Sequence, residues 1–419
     1  MATVVLLGTL DTKGTEYQFL RSQLLDLGVE VLLVDAGSGG PPLATPDVPA
    51  AEVAAAAGAE LEALTDRGEA VETMARGAEA VVRRLYDGGR LQGILALGGS
   101  GGTSIATRAM RALPVGVPKL MVSTMASGDT RPYVGAVDVA MMYSVVDIAG
   151  VNAISERILA NAAAAIAGMA QVVVPARAES RPLVGATMFG VTTPCVTRAR
   201  ERLEELGYEV LVFHATGTGG RSMEALARDG FLVGVLDVTT TELADELVGG
   251  VLSAGPDRLE AAGVLGLPQV VSLGALDMVN FGPLDTVPPQ FRSRTLYEHN
   301  PTVTLMRTTP DECRELGRTI GRKLSAATGP TAVYVPLRGV SMIAVEGAPF
   351  HDADADEALR AGLHETLSDS VELHELDLDV NDPAFAVAMA DRLHELVQRR
   401  RRHDAEAGDR PAARAGRQR

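Results

Sequence analysis

Short, uninterrupted apolar runs alternate with stretches of helical periodicity along this chain. That alternation is its strongest constraint, because it is the pattern of parallel strands buried on both faces and crossed over by helices. Val4–Leu7 reads as one such strand, Gln18–Leu27 carries Phe19, Leu20, Leu24 and Leu27 at helical spacing, and Val29–Val34 reads as a second strand. The unit recurs at Leu183–Ala186, Val196–Leu206 and Glu209–Phe213. At an offset of 179, Leu27-Gly28-Val29-Glu30-Val31-Leu32 matches Leu206-Gly207-Tyr208-Glu209-Val210-Leu211, so the two halves read as duplicates. Further strands are expected at Gly93–Leu97, Lys119–Ser123, Val233–Leu236, Gln269–Leu273, Val303–Met306, Ala332–Val335 and Val371–Leu376. The predicted fold class is α/β, with two Rossmann-like, doubly wound parallel-sheet subdomains. A polar, Pro-bounded stretch, Pro175–Pro182, places the boundary between domains at 1–178 and 179–397, and the Arg-rich segment 398–419 is expected to be disordered.

Composition narrows the function classes. At 419 residues, with 46% apolar and 22% charged, the chain has ample material for several cores and no disorder signature. The net charge is −16, and the tail holds eight arginines against three acids, leaving the remainder at −21. A body that acidic repels nucleic acid, and aromatics at 4% offer few stacking platforms. No nucleic-acid partner is expected. Two cysteines, Cys195 and Cys313, make neither a disulfide framework nor a zinc site. The N-terminus lacks a basic signal region, and the charge-free stretch Ile158–Ala176 is mostly alanine, so it reads as a buried helix running into a strand. A cytoplasmic protein without a membrane partner is the expectation.

Ligands of open α/β sheets sit beyond the carboxyl ends of the strands, so the turns there carry the functional reading. The first strand is followed by Gly8-Thr9-Leu10-Asp11-Thr12-Lys13-Gly14, in which Thr9, Asp11 and Thr12 surround Lys13, one of three lysines in the chain. Lys13 could meet a phosphate, or Asp11 or Thr12 could simply cap a helix. The strand Gly93–Leu97 ends in Gly98-Gly99-Ser100-Gly101-Gly102-Thr103, a turn of bare backbone N–H groups opening a helix, which suits an anion. The same residues fit G-x-S-x-G with Ser100 as a nucleophile, or a tight turn capped by Thr103. After Lys119–Ser123 come Thr124, Ser127, Gly128, Asp129 and Thr130, which could hold ribose, phosphate or a hydrated Mg²⁺.

In the second half, His214-Ala215-Thr216-Gly217-Thr218-Gly219-Gly220 repeats the glycine-rich theme. Thr239 with Glu242 fits a capping box, and Thr309-Pro310-Asp311-Glu312 reads as a cap with Pro at the first helical position. Gly274–Asn300 has no sustained periodicity and reads as a long loop. Within it, Arg292 and Arg294 suggest an anion clamp and His299 a proton-transfer group, against a packing arm anchored by Phe281, Phe291 and Leu296.

Taken together, Gly8–Gly14, Gly98–Thr103, Gly190-Val191-Thr192-Thr193-Pro194-Cys195, His214-Ala215-Thr216-Gly217 and His299-Asn300-Pro301 make the chain resemble the ATP-binding domain family named after the tomato mosaic virus resistance factor. The resemblance implies two α/β subdomains, ATP as ligand and a homodimer or higher homo-oligomer. The plant relative continues into a TIM barrel that has no counterpart here, which leaves a separate TIM-barrel protein as an open partner expectation. The expected function is ATP binding by the three turns of the first half, with a second polar pocket between the halves for a small-molecule ligand in an ATP-dependent or small-acid-processing reaction. Two alternatives stay open: a serine hydrolase using Ser100 with His214 or His299, and a non-enzymatic protein whose ATP is structural or regulatory.

Overall fold

The central apolar runs become strands buried on both faces, the edge strands Glu30–Asp35, Glu209–His214 and Glu372–Leu376 are partly open, and the helical stretches lay their apolar sides over the sheets. The computed structural model describes residues 1–173 and 181–408, which divide into two compact units, Met1–Arg177 and Ala178–Arg419. Most of the expected linker, Pro175–Pro182, and the tail beyond residue 408 lie outside the described residues.

The N-terminal unit runs β1 (Thr3–Gly8), α1 (Leu10–Asp26), β2 (Glu30–Asp35), α2 (Ala50–Ala56), α3 (Arg67–Asp87), β3 (Gly93–Gly98), α4 (Ser100–Arg111), β4 (Lys119–Ser123), α5 (Arg131–Val134), β5 (Ala140–Tyr143) and α6 (Ala153–Gln171). Its five strands are all parallel, in the order β2-β1-β3-β4-β5. One face of the sheet packs Val5, Leu7, Ile94 and Ala96 against Val53 of α2, Met74, Ala78 and Val81 of α3 and Ile105 and Met110 of α4. The other packs Val4, Leu6, Leu95 and Leu97 against Leu20 and Leu24 of α1 and Leu159, Ala163 and Ile166 of α6. Helix α6 starts at a capping box between Asn152 and Ser155 and stops at Gln171; Val172 and Val173 are exposed and outside any strand, and the rest of the expected continuation into a strand, residues 174–176, lies outside the described residues.

The C-terminal unit runs β6 (Leu183–Met188), α7 (Thr193–Glu205), β7 (Glu209–His214), α8 (Thr218–Arg228), β8 (Leu232–Thr239), α9 (Glu242–Val248), α10 (Ala261–Val264), β9 (Gln269–Gly274), β10 (Met278–Phe281), β11 (Leu296–Asn300), β12 (Val303–Arg307), α11 (Pro310–Ser325), β13 (Thr331–Pro336), α12 (Ala353–Thr366), β14 (Glu372–Leu376) and α13 (Pro383–Gly408). Six parallel strands take the order β14-β13-β9-β8-β6-β7, which repeats the 2-1-3-4-5 order of the first unit and adds a strand at one edge. Helices α7 and α13 cover one face, through Val196, Leu203, Phe385 and Leu393; α11 and α12 cover the other at β9 and β13, through Leu316, Ile320, Leu359 and Leu363. The segment expected to fray after 397 instead continues α13 to Gly408.

The stretch read as a structureless loop, Gly274–Asn300, contains two strands. With β12 they form a separate antiparallel sheet, β10-β12-β11, and Met278, Val279, Asn280 and Phe281 are all buried. Val303–Met306 was expected among the parallel strands and is the centre of this sheet instead.

Candidate functional site

In the first unit the strand order reverses between β1 and β3, and at such a point the helices leave in opposite directions and open a crevice at the carboxyl ends. One side chain holds the two strand ends apart. The β1–β3 ladder stops at Leu7 and Ala96, and beyond it the buried Tyr17 of α1 inserts its hydroxyl, donating to the Leu7 carbonyl and accepting the Leu97 N–H at 2.9 Å. Its ring fills the space where a Cβ on Gly8 would sit. Burial pushes the Tyr17 phenol far above its ordinary value, so it stays protonated.

The turn after β1 lines one wall. Thr9 caps α1 by backbone geometry alone, and its hydroxyl pairs with that of Thr12 at 2.9 Å. Asp11 accepts the Gly39 N–H at 2.7 Å through one oxygen; the other is buried without a partner. Beside it, Asp35 at the end of β2 accepts from Leu10 (3.0 Å) and Gly37 (2.9 Å). Burial raises the Asp35 carboxyl above the usual range, and the neighbouring Asp11 adds to the effect. At Lys13 the helix is kinked, with φ −125° and ψ 16°, and the ammonium donates to the carbonyl of Ile148.

The turn after β3 lines the other wall. Gly99 precedes α4 and offers no side-chain cap; Ser100, Gly101, Gly102 and Thr103 form its first turn. Neither Gly99, Gly101 nor Gly102 has a positive φ. A Cβ at each would meet nothing closer than Thr124 Oγ1 at 3.9 Å, Val71 Cγ2 at 4.0 Å and the Leu97 carbonyl at 3.6 Å respectively. Gly98 alone is packed tightly, against Gly102 Cα at 3.0 Å. Thr103 does not cap the helix: its hydroxyl bonds Ser123 Oγ at 2.7 Å, which links this turn to the end of β4. Ser123 in turn accepts from the Met125 N–H at 2.9 Å and sets the turn that carries Thr124.

The structure therefore brings the expected residues after β1, β3 and β4 to one sheet edge, on neighbouring strands. The far part of the third turn differs. Ser127, Gly128 and Asp129 are exposed and Thr130 half-buried, and Asp129 is taken bidentately by Arg131, at 2.8 and 2.7 Å, which pulls its carboxyl down to about 2. Ser100 has no left-handed strain of the kind a nucleophile elbow carries, and all seven histidines fall after residue 213, so the unit holding Ser100 contains none.

In the second unit the glycine-rich turn after β7 is filled by the protein itself. Glu242, fully buried, accepts the Gly217 N–H at 2.7 Å and the Gly220 N–H at 3.1 Å, occupying the start of α8 with a carboxylate. It does not form the expected capping box; α9 begins at Thr241 without a side-chain cap, and Thr239 Oγ1 bonds Thr192 Oγ1 at 2.7 Å. The glycines here are demanded by packing: a Cβ on Gly219 would run into the His214 carbonyl, and one on Gly220 into Glu242. Behind them lies Arg258, 1% exposed, held by both oxygens of Asp237 (2.6 and 2.8 Å) and by Glu242 (2.6 Å). Nothing in local spacing signals this network, because Arg258 lies 16 and 21 residues from its carboxylate partners.

Of the expected catalytic residues, the two histidines lie at the carboxyl edge of the second sheet, while the two arginines are bonded within the protein. His214 is exposed at the end of β7. Arg292 donates to the carbonyls of Val287 and Asp285, and Arg294 to Glu312 (3.1 and 2.7 Å) and the Arg307 carbonyl. Arg292 thus braces the connection between β10 and β11, and Arg294 ties it to β12 and to the first turn of α11. His299 is exposed on β11, and its Nε2 lies 3.9 Å from where a Cβ on Gly190 would sit, at the carboxyl end of β6. Cys195 is fully buried and its thiol is pushed up to about 12, a packing residue and not a nucleophile. Among the described residues no helix is long and apolar enough to cross a membrane.

The chain's relatives run nearly its full length. Residues 2–175 match the N-terminal domain, and residues 181–397 the C-terminal domain, of the Uncharacterised protein family (UPF0261). A UPF0261 protein of Clostridium tetani is 54% identical over 94% of this chain and 99% of its own length, and one of Rhizobium meliloti 49% over 93% and 97%. The ToMV resistance protein Tm-1 of Solanum lycopersicum is 45% identical over 80% of this chain, which covers 45% of the tomato protein. The chain belongs to the UPF0261 family.

Proposed function

We propose that the N-terminal unit binds ATP in the crevice between β1 and β3, with the phosphates against the first turn of α4. The observation that carries this reading is the set of glycines at 99, 101 and 102. Neither backbone conformation nor packing requires them; at the cap position 99 glycine is well tolerated, but at 101 and 102, inside the helix, it costs up to about 0.5–1 kcal/mol each relative to alanine. A run that weakens its own helix without serving the fold is accounted for by a ligand that must approach the backbone closely, as phosphates do at a helix N-terminus. Lys13 supplies the local positive charge that a polyanion needs beside Asp11 and Asp35, and Thr9, Thr12 and Thr124 supply hydroxyls. ATP as the particular nucleotide follows the family resemblance; the crevice chemistry supports a phosphorylated ligand.

A Mg²⁺ accompanying the phosphates fits Asp11, whose orphaned buried oxygen lacks a donor. Asp129 fits less well because Arg131 already neutralises it. The test is titration calorimetry with ATP and with adenosine. Lys13→Met should weaken ATP about ten- to a hundred-fold and leave adenosine nearly unchanged. Absence of ATP binding to the wild-type protein, or equal loss for both ligands in the variant, would refute the assignment.

A further inference from the structure

The segment between β5 and α6 crosses the start of α1 under strain. Val145 has φ +62°, a conformation that a β-branched residue rarely adopts, and the Val146 N–H donates to the Ser144 carbonyl at 2.7 Å across it. That is a three-residue turn with the central residue on the unfavourable side of φ. Packing does not repay the strain, because Val145 is 59% exposed. What enforces it is anchorage on either side. Before it, the Ser144 N–H donates to the Ser123 carbonyl at 3.2 Å; after it, the Ile148 carbonyl accepts from Lys13 and the Gly150 N–H donates to Glu16 at 2.7 Å, Glu16 being 2% exposed. Backbone strain of this kind persists only where its surroundings over-determine it.

The anchor Lys13 is also the cation assigned to the phosphates. We infer that residues 144–151 form a strap whose release is coupled to nucleotide binding. A phosphate oxygen carries charge where the Ile148 carbonyl offers only a dipole, so an arriving phosphate draws the ammonium away from Ile148. With that tether gone, the segment after Val145 is held only from Gly150 by Glu16, which lets Val145 relax out of the left-handed region, and the strain released adds to the affinity. This inference rests on the reading of the β1–β3 crevice as a phosphate site.

The experiment combines hydrogen exchange on the full chain, with and without ATP, and calorimetric ATP affinity for the wild type, Val145→Gly and Val145→Ala. Bound ATP should speed exchange of the amides of residues 146–151. Val145→Gly abolishes the strain, since glycine tolerates positive φ, and should bind ATP about tenfold more weakly although the substitution is not in the phosphate-binding turns. Val145→Ala keeps a Cβ in the left-handed region and should stay nearer the wild type, which separates strain from loss of the valine side chain. Unchanged or slower exchange with ATP bound, or undiminished affinity of Val145→Gly, overturns the strap and leaves the nucleotide site standing. No ATP binding to the wild type removes both.

Discussion

The Tyr17 hydroxyl accepts the Leu97 N–H at 2.9 Å and thereby takes the place of the next rung of the β1–β3 ladder. A side chain from α1 thus fixes how far the two strands diverge, and the divergence is the floor of the proposed nucleotide crevice. Tyr17→Phe keeps the ring under Gly8 but leaves the Leu97 amide and the Leu7 carbonyl without this partner. A buried polar group left unpaired costs about 1–3 kcal/mol, so denaturant unfolding should show a loss of that order. If the crevice is held open by this bond, ATP affinity should fall as well. A variant as stable as the wild type would mean the hydroxyl contributes nothing to the strand ends.

The glycines of the two units should respond oppositely to alanine. At Gly101 the added methyl meets only Val71 Cγ2, at an unstrained 4.0 Å, so Gly101→Ala should raise thermal stability slightly, by up to about 1 kcal/mol, while weakening ATP. At Gly219 it meets the His214 carbonyl, so Gly219→Ala should destabilise the second unit. Gly101→Val should remain folded and lose ATP binding. Paired melting curves and titrations check this, and a Gly101→Ala protein that binds ATP normally would remove the argument from unnecessary glycines.

The parallel strands were legible because burial on both faces makes each one a continuous apolar run, such as Val4–Leu7, and such runs need no context to recognise. The antiparallel sheet was not. β10 is four residues long and includes Asn280, a polar residue buried by its partner Asp245 at 2.6 Å, so neither alternation nor apolar continuity marked it. Spacing also misassigned Glu242: Thr-x-x-Glu fits a capping box, but the carboxylate is spent on Gly217, Gly220 and Arg258, partners distant in sequence. Three turns of the proposed nucleotide crevice could be read because they follow recognisable strands. Tyr17 could not, since an aromatic inside an amphipathic helix reads as core until its hydroxyl is located.

Arg258 should be among the most stability-sensitive residues of the second unit. It is fully enclosed with Asp237 and Glu242, and Glu224 lies 3.6 Å away. Removing the cation strands buried carboxylates, and breaking a buried pair by deleting one partner costs about 3–5 kcal/mol. Arg258→Met should therefore lower the unfolding transition of that unit strongly. A loss below about 1 kcal/mol would mean that the carboxylates are protonated or solvated in the variant.

Asp245 gives the second unit a dependence on pH with a definite sign. Burial pushes its carboxyl up to about 7, although the amide and side chain of Asn280 and the amide of Leu252 all donate to it. The unfolded chain releases this proton near 3.8. Between those values the folded protein holds a proton that the unfolded chain does not, so its contribution to stability falls as pH rises from about 4 to about 7. Above that range a charge sits buried against neutral donors. Asp245→Asn removes the titration, and rotation of the Asn280 amide lets its otherwise unpartnered oxygen accept from the new side chain. The variant should thus gain on the wild type with increasing pH, toward a limit of about 4 kcal/mol. Melting temperatures of both proteins from pH 4.5 to 8 measure this as a difference that cancels every other titrating group. A difference flat across that range would mean that Asp245 is ionised throughout and that the surrounding amides outweigh its burial.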